Sequence, residues 1–567
     1  MTLHDLATSG DVVGLRDALA RGALVDERHE GWTPLMCAAK SHRAGVDALA
    51  VLVESGADLD AERAVDKRAE QRPLQLAIRA GDLAKVHYLV SAGARVAYRS
   101  AAGYDASIDA QFARGGPGLE LVRYLLDHGA PADGVSTHGE TALNVASRQA
   151  RMDIVRLLID RGASEGELGW GPLARAVAVG SLAEVEAALR DGDDRAQRDR
   201  WRRTPWMLSL EVDDRAKAAR LFEAGVDRDD RGFFDRSAVA VAAIRGDSRL
   251  VQWLIDRGFG LEDRDALGMT PLMHAVTGGH VGVARRLLRR GADVDAGPDK
   301  EGMCSKVVSY ARDPRMLAAL LDAGGDLADT SEEMRRVLRG HRAPRAPTIT
   351  VEHYRSGAAR RFGCENPERM AVPFWDFMIV QSIRAYAARA QFAAGAPSLG
   401  EPVWCYSRFG QSITRLPNGS IVEIGGEHED SYDADFCIYN DVVVHDGRGG
   451  FTVFGYPREG FPPTDFHTAT YHQGAIYIVG GFGYAGERAP GPTPVYRLDC
   501  ATFAIARIAA SGPDPGWVQR HRARLDGDDL VVTGGQVLTR EAGAEAWVKS
   551  DRVVALDLQT MRWIERE

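Results

Sequence analysis

The first three-fifths of the chain alternates apolar helical stretches with glycine turns. A glycine follows each stretch at intervals of 30 to 37 residues: Gly22, Gly56, Gly93, Gly129, Gly162, Gly192, Gly225, Gly258, Gly291 and Gly324. A second landmark, usually of the type Thr-Pro-Leu, lies upstream in many units: residues 33–35, 72–74, 141–143, 171–173, 204–206 and 270–272. This recurrence predicts a repeat built from pairs of short helices.

Residues 268–295 show why these residue types recur. Thr270 can cap a helix with its hydroxyl, and Pro271 suits the first helical turn. The glycine pair 278–279 ends this helix, and Gly291 can take the left-handed conformation that ends the next one. The second helix presents one apolar stripe: Val281, Ala284, Leu287 and Leu288. One helix pair cannot bury such a stripe, so neighbouring units must stack on it.

This pattern resembles the ankyrin repeat, over residues 2–331 and in about ten units. The near-regular 33-residue spacing, the Thr-Pro-Leu turns and the Gly-Ala-Asp ends at 56–58 and 291–293 carry the resemblance. It implies an α-solenoid with an extended concave surface. Other residues replace the histidine that the family has after Thr-Pro-Leu, which puts its hydrogen bond between repeats in question: Met36, Gln75, Asn144 and Met273.

Two units depart further from the pattern. The unit from Tyr104 to Pro117 lacks Thr-Pro-Leu and contains a Gly-Gly-Pro insertion, so we expect it to be distorted. The unit from Met303 is short and has no first-helix motif, as is typical of a terminal cap.

From Trp404 onward the period changes. Apolar runs of strand character lead into Gly-Gly pairs at 425–426, 480–481 and 534–535, which lie 55 and 54 residues apart. A second strand and an aromatic residue follow two of these pairs. This order resembles the kelch repeat over residues 404–567, which implies four-stranded sheets of the β-propeller type, with glycines at close approaches and aromatics between sheets.

Three kelch-like units are visible, and a closed propeller needs about four or more. A degenerate segment or a second chain would complete the ring, or the sheets would stay open and leave strand edges that need covering. The predicted fold class is therefore α+β and multidomain, an α-solenoid of about ten ankyrin-type repeats followed by an all-β kelch-like module.

The predicted domains are, in chain order, a solenoid over 1–340, a linker and docking helix over 341–400, and the kelch-like module over 401–567. Prolines near 343–347 indicate the linker. An apolar stripe predicts one helix from Phe374 to Phe392, which we expect to dock between the arrays rather than to bind a partner. Four strings are similar to those of an uncharacterised group of bacterial ankyrin-repeat proteins: 366–370, 373–375, 404–410 and 426–430.

Composition narrows the class of protein. Lys+Arg is 70 against Asp+Glu 80, a net charge of -10, which argues against a nucleic-acid or acidic-membrane binder. The six cysteines form no CxxC pair, which indicates reduced thiols in the cytoplasm. No secretory signal or membrane span is expected. The scarcity of lysine among the basic residues hints at a bacterial source.

Aromatic and arginine side chains gather in the turns before the first helices, and such residues are the usual anchors of protein interfaces. The predicted partner-binding residues are Trp32, Trp170, Trp201, Arg202, Arg203, Phe233, Phe234 and Met269. The alternative is that residues in this position pack against the neighbouring turn.

An acidic run could hold a metal ion: Glu427, His428, Glu429, Asp430, Asp433, Asp435 and Asp441. Its spacing matches neither the Ca²⁺ loop nor HExxH, which favours a solvated or salt-bridged loop, and we assign no metal or cofactor. His467 and His521 hold equivalent positions in two units, with Ser412 in the third. That repetition favours packing between sheets over catalysis.

These observations predict a protein–protein interaction scaffold or adaptor that binds a protein partner through the ankyrin concave surface and a kelch-like face. No nucleophile, phosphate-loop or dinucleotide motif is present, so no catalytic residue is assigned. The alternatives are a metal-dependent enzyme on the kelch-like module and a bacterial effector or toxin-neutralising protein.

Overall fold

The computed structural model describes residues 1–66, 69–116, 118–212, 214–297, 306–327, 330–340, 347–392, 402–428, 436–541 and 544–566. Pro117, Met303, Cys304, much of the linker and the acidic loop 429–435 lie outside the described residues. The chain divides into two compact units, residues 1–267 and 268–567. None of the helices in these ranges has the length and apolar surface needed to cross a lipid bilayer.

The first unit is built from helical hairpins. Its helices are α1 Leu3–Ser9, α2 Val12–Ala20, α3 Pro34–Lys40, α4 Val46–Glu54, α5 Pro73–Ala80, α6 Leu83–Ser91, α7 Ala106–Ala110, α8 Leu119–Asp127, α9 Ala142–Arg148, α10 Met152–Asp160, α11 Pro172–Ala178, α12 Leu182–Arg190, α13 Pro205–Ser209, α14 Arg215–Glu223, α15 Ala238–Ile244 and α16 Ser248–Ile255. Smaller elements lie in the turns: β1 Arg63–Asp66, β2 Ala69–Gln71 and the 3₁₀ turns Glu165–Leu168 and Phe233–Asp235.

Helix caps explain the recurring residues of each hairpin. The hydroxyl of Thr204 accepts a hydrogen bond from the backbone N–H of Met207 at 3.2 Å, and Pro205 occupies the first helical position. Four second helices, α2, α6, α14 and α16, have an aspartate at the N-cap, as where Asp214 accepts from the N–H of Lys217 at 3.3 Å. First helices pack on first helices (α1 on α3, α3 on α5) and second on second (α2 on α4), so the apolar stripes form one continuous core.

Buried lysines join hairpins at two equivalent positions. Lys217 Nζ donates to the carbonyls of Val177 at 2.9 Å and Gly180 at 2.7 Å, at the end of α11. Lys85 Nζ donates in the same way to Ala38 at 3.0 Å, near the end of α3. Burial lowers the pKa of both lysines. These ammonium groups donate to carbonyls at the C-terminal ends of helices, where no backbone N–H of the same helix is available.

The second unit begins with two further hairpins and continues into further helices. Its helices are α17 Pro271–Thr277, α18 Val281–Arg289, α19 Pro314–Asp322, α20 Glu332–Leu338, α21 Val351–Gly357, α22 Pro373–Gln381 and α23 Ala385–Phe392. The predicted caps at Thr270 and Gly291 are confirmed, and Val283 is buried while Val281 and Leu288 are half-buried. A 3₁₀ turn, Val307–Tyr310, replaces the first helix of the last hairpin.

The prediction of a single helix from Phe374 to Phe392 is wrong, because the segment forms α22 and α23. Ser382 lies between them in the left-handed region, with φ at 50°. Arg336 of α20 donates to the carbonyl of Gln381 at 3.3 Å and so takes up a carbonyl of the last turn. The break between α22 and α23 therefore lies where a side chain from α20 contacts the end of α22.

Residues 401–566 are rich in β-strands. The strands of the second unit are β3 Glu368–Met370, β4 Ser412–Arg415, β5 Ile421–Ile424, β6 Glu427–His428, β7 Cys437–Ile438, β8 Val442–His445, β9 Phe451–Gly455, β10 Thr468–His472, β11 Ala475–Val479, β12 Val495–Asp499, β13 Ile505–Arg507, β14 Val518–Gln519, β15 Arg522–Asp526, β16 Asp529–Thr533, β17 Gln536–Glu541, β18 Ala544–Lys549, β19 Val553–Asp557 and β20 Arg562–Arg566.

Three antiparallel sheets follow one another along the chain. Their strand orders are β3-β9-β8-β5-β4, β10-β11-β12-β13 and β15-β16-β19-β20, and smaller sheets are β6-β7 and β14-β17-β18. Strand β10 of the second sheet contacts β4 of the first sheet and β15 of the third. These three strands, one from each sheet, are therefore neighbours. Aromatics pack between the sheets as predicted: Phe503 stacks on Phe454 at 5.0 Å, and Trp563 is buried against the second sheet.

The Gly-Gly pairs mark where one sheet approaches the next. Gly425 and Gly480 have φ of 61° and 70°, and an added Cβ would lie 2.3 Å from the carbonyl oxygen of Thr464 and 2.1 Å from that of Val518. At the equivalent Gly534, none of the described residues has an atom within 4 Å of that position. The first sheet therefore closely approaches the second, and the second the third, but the third sheet has no such neighbour among the described residues. No closed ring of sheets forms among the described residues, and a kelch-type propeller is not established.

Helices pack against the first of the three sheets. Trp375 of α22 stacks on Trp404 with ring centres 4.7 Å apart, and both belong to a buried cluster with Val443 and Val453 of the sheet. The segment around Phe374 therefore docks on the first sheet within the second unit. Helix α20 is tied to the same sheet by a buried ion pair, since Arg339 donates to Glu423 at 2.6 Å.

Candidate partner surface of the first unit

The turn before α13 is organised by one buried aspartate. Asp199 accepts hydrogen bonds from the backbone N–H groups of Trp201 and Arg203, both at 2.9 Å, and from Nε of Arg203 at 2.8 Å. Arg202 occupies the tip with φ at 61°. The side chain of Trp201 is thereby held at the edge of the turn, where it is half-buried.

Trp201 is one member of an aromatic ridge, which we define as Tyr104, Glu140, Arg148, Trp201, Phe233 and Phe234. Trp201 meets Phe233 edge-on at 5.4 Å between ring centres, and Phe233 contacts Phe234 at 4.3 Å. Phe234 is 46% exposed. Arg236 covers the far end, 5.6 Å from the ring centre of Phe234. The ridge therefore links the turns of two successive hairpins.

The ridge continues toward the N-terminus through polar contacts. The guanidinium of Arg148 lies 5.3 Å from the ring centre of Trp201 and forms an ion pair with Glu140 at 3.5 Å. Glu140 accepts a hydrogen bond of 2.6 Å from the Tyr104 hydroxyl. Phe112 lies 6.1 Å from Tyr104, and its side chain reaches the surface. Side chains from four hairpins therefore form one continuous strip.

Burial shifts the pKa of Tyr104 in the ridge, and a buried network of polar side chains lies beneath it. Burial raises the pKa of Tyr104 to about 12, with a further contribution from its hydrogen bond to Glu140, so the phenol donates at neutral pH. Asp109 is fully buried and accepts from Tyr98 at 2.7 Å and from Arg79 at 2.6 Å. Gln75 of the preceding hairpin also donates to Asp109, at 2.8 Å. This network fixes α7 against α5, although α7 is only five residues long, as expected for a distorted unit.

The structure brings Trp201, Phe233 and Phe234 together, but not the other predicted aromatics. Trp32 lies between Lys40 and Arg63, at 4.7 and 4.6 Å from their charged groups, in an earlier hairpin. Trp170 is half-buried beside Asp199, to which its indole N–H donates at 3.4 Å. Met269 belongs to the second unit, where it is half-buried.

Arg203 does not offer its charge to solvent, and we do not carry it into the proposed surface. Its side chain is 1% exposed and is paired with Asp199 at 2.7 Å and with Glu211. It also donates to the carbonyl and the hydroxyl of Ser147, both at 2.8 Å. Arg203 therefore joins its own hairpin to that of α9 from within, whereas Arg202 beside it is exposed.

Sequence reasoning missed three members of the ridge, Tyr104, Glu140 and Arg148, and two residues that contact Tyr104, Arg79 and Phe112. Their register is regular, because Tyr104 and Glu140 lie two residues before the first residue of a first helix, and the other three lie six residues after it. Trp32 and Lys40 hold the same two positions in an earlier hairpin. Aligning the units on the first helix, rather than on the Thr-Pro-Leu motif, would have revealed this pattern.

The alternative sites on the β-rich region have structural partners. Asp441 forms a buried ion pair with Arg408 and accepts from the indole of Trp404 at 2.7 Å. Within the ranges that the structure describes, no group of three or more His, Cys, Asp or Glu side chains is arranged to hold a metal ion. The loop at 429–435 lies outside them.

The two register-equivalent histidines contact the preceding sheet. His467 Nε2 lies 2.8 Å from the Ser412 hydroxyl, and His521 Nε2 lies 2.9 Å from that of Thr468. Burial lowers their pKa values to about 3 and about 4. Both are therefore neutral at physiological pH and fit the packing role between sheets.

Comparison with known proteins identifies the helical hairpins. The family model for ankyrin repeats (3 copies) matches residues 3–100 and 213–297, and that for ankyrin repeats (many copies) matches 111–159. A B-cell lymphoma 3 protein homolog of Mus musculus is 34% identical over 162 residues, which are 29% of this chain and 32% of that protein.

Two further relatives match shorter shares of their own length. A transient receptor potential cation channel subfamily A member 1 homolog of Caenorhabditis elegans is 26% identical over 174 residues, 30% of this chain and 14% of that protein. The ankyrin repeat and KH domain-containing protein mask of Drosophila melanogaster is 44% identical over 62 residues, 11% of this chain and 2% of that protein. The chain thus spans less than a third of each of these relatives, and its N-terminal half contains ankyrin repeats.

Proposed function

We propose that this protein is a cytoplasmic, bacterial interaction scaffold or adaptor that binds a protein partner through the aromatic ridge. Ankyrin repeats generally mediate protein–protein interaction. The observation that carries the proposal is the unbroken path of contacting side chains from Tyr104 to Phe234. Trp, Tyr and Arg dominate the energetics of protein interfaces, and here all three lie on one strip.

The ridge is also preorganised. Arg148 is held by Glu140 and Trp201, and Trp201 by the turn around Asp199. Side chains that are already ordered lose little conformational entropy on binding, which leaves more of the contact energy for affinity. The free thiols of Cys37, Cys364, Cys437 and Cys500 support a reducing compartment.

We propose a second, kelch-like surface at the loop end of the β-rich region. Phe409, in the loop before β4, is 65% exposed. The register-equivalent loop before β10 carries Phe466, whose ring centre lies 3.8 Å from the guanidinium of Arg520. The metal-dependent enzyme alternative is not carried forward, because Asp441 is already paired with Arg408.

Site-specific photocrosslinking in the native host tests the ridge. A crosslinking residue at Phe234 should capture one protein, while the same residue at Leu24, which is 73% exposed and outside the ridge, should not. With the captured protein purified, Trp201→Ala and Phe234→Ala should each weaken binding by about 2 kcal/mol, roughly thirtyfold, as expected for interface anchors.

Two controls separate binding from folding. Leu24→Ala should leave the affinity unchanged, and the melting temperature of each variant is compared with that of the parent. A ridge variant that melts normally and still binds its partner with parental affinity refutes the ridge as the docking surface. Equal crosslinking at both positions refutes it as well.

A further inference from the structure

The small sheet β14-β17-β18 ends in an open strand edge. Strand β18, Ala544–Lys549, pairs with β17 on one side, and none of the described strands pairs with its other side. Val548 is 44% exposed, and Glu545 and Lys549 are exposed. An edge of six residues with free N–H and C=O groups is a template for pairing with another chain.

The hydrogen bonds around β17 show which backbone groups of β18 point outward. The Leu538 N–H, opposite Trp547 in the register, is directed away from β18 and donates to the carbonyl of Trp517 at 2.9 Å. The Ser550 N–H, just beyond β18, is directed inward and donates to Gly535 at 3.0 Å. Because inward and outward pairs alternate along an antiparallel strand, the backbone groups of Glu545, Trp547 and Lys549 point outward.

We propose that a second copy of this chain pairs with β18 in antiparallel fashion, on a two-fold axis that passes through Trp547. Trp547 then lies opposite its own equivalent, and Glu545 lies opposite the Lys549 of the second copy. All three outward-facing residues form hydrogen-bonded pairs, which gives about six backbone hydrogen bonds across the edge.

Charge complementarity selects this register. Directly opposite residues share a face of the sheet, so each Glu545 carboxylate faces a Lys549 ammonium from the other copy, twice per dimer. Within one chain Glu545 also accepts from Arg488 at 2.9 Å, and Lys549 lies 3.9 Å from Asp551 with its side chain 84% exposed. An axis through Ala546 or Val548 would keep fewer backbone pairs and would not place Glu545 opposite Lys549.

The fold covers two comparable edges within the second unit. Strand β3 covers β9, and with three residues it leaves only a short outer edge on the first sheet. The Asn366 side chain covers the edge of the second sheet at Ile505, donating to its carbonyl at 2.7 Å and accepting from its N–H at 2.9 Å. The open edge of β18 contrasts with these covered ones. A dimer formed there would carry two ankyrin arrays and could bind a multivalent partner with avidity.

Charge reversal with rescue tests the proposed register in the full-length chain. Sedimentation velocity over a concentration series should show wild type approaching twice the mass of one chain. Lys549→Glu and Glu545→Lys each place like charges opposite one another and should each weaken dimerisation by about tenfold or more. The double variant restores both pairs and should dimerise as wild type does, and an equimolar mixture of the two single variants should form a heterodimer.

Arg190→Glu, an exposed charge reversal on α12 of the first unit, is the matched control and should dimerise normally. Glu545→Lys also removes the ion pair with Arg488, so the melting temperature is measured for every variant. Lys549→Pro removes one outward N–H and provides a second way to weaken pairing at the edge. Wild type that stays monomeric at its highest soluble concentration overturns the proposal. Dimers that persist in both single reversals, or no rescue in the double variant and the mixture, overturn it as well.

Discussion

Replacing Arg203 should destabilise the first unit more than any change at its exposed neighbour. In Arg203→Met the apolar stem is largely kept, but Asp199 and Glu211 lose the buried guanidinium that pairs with them. The carbonyl and hydroxyl of Ser147 lose their donors too. Removing one partner of a buried ion pair leaves an uncompensated charge, which costs about 3–5 kcal/mol.

The effect is large enough to be measured in the full-length chain. For a unit of this size the loss corresponds to a fall in melting temperature on the order of 10 °C. Far-UV circular dichroism during heating and urea titration reports the helical unit. Arg202→Met is the matched control, because Arg202 is exposed and adjacent, and it should change the unfolding free energy by less than about 0.5 kcal/mol.

The pH dependence of this loss provides an independent check. Burial raises the pKa of Glu211, and Arg203 opposes that effect. A carboxyl whose pKa is raised in the folded state contributes stability at low pH and loses it as pH rises through the folded pKa. Without Arg203 that folded pKa rises further, so Arg203→Met should be less destabilising at pH 5 than at pH 8. A variant that unfolds within about 1 kcal/mol of wild type at pH 8 would refute the reasoning.

Three further outcomes are expected. Gly480→Ala should destabilise the β-rich region by several kcal/mol, because the new Cβ meets a carbonyl oxygen. Gly534→Ala should cost only about 1 kcal/mol, for its positive φ. Equal losses of unfolding free energy in urea titrations would contradict the view that the series of packed sheets ends at the third. Lys217→Met should cost about 1–3 kcal/mol and speed amide exchange at the end of α11, and unchanged exchange there would count against its capping role. The folded pKa of His467 is about 3, against about 6.5 unfolded, so its contribution to stability is full above pH 6.5 and is lost as pH falls toward 3, by about 1.4 kcal/mol at pH 5.5. His467→Gln should lessen this loss in tryptophan-monitored titrations, and the matched change at the exposed His42, His42→Gln, should not.

Helix pairs, turns and sheets of strands could be read from the sequence because they depend on local chemistry. The Thr270 cap and the Gly291 turn each depend on residues only a few positions away along the chain, and both are present. The Gly-Gly pairs likewise indicated close approaches between sheets, as Gly425 and Gly480 show. The same local signal could not tell where the sheets end, because Gly534 has the same sequence context but no described atom near the position that a Cβ would take.

By itself, the sequence determined which segments form helices and strands and that they repeat, because capping, glycine conformation and periodic burial act within one unit. Tertiary structure decided which arginine is exposed, since Arg203 is buried by Ser147, 56 residues away, while Arg202 is not. It also decided the break at Ser382 and the assembly of the aromatic ridge from four hairpins. Burial and electrostatic pairing depend on groups distant along the chain, and only folding brings those groups into contact.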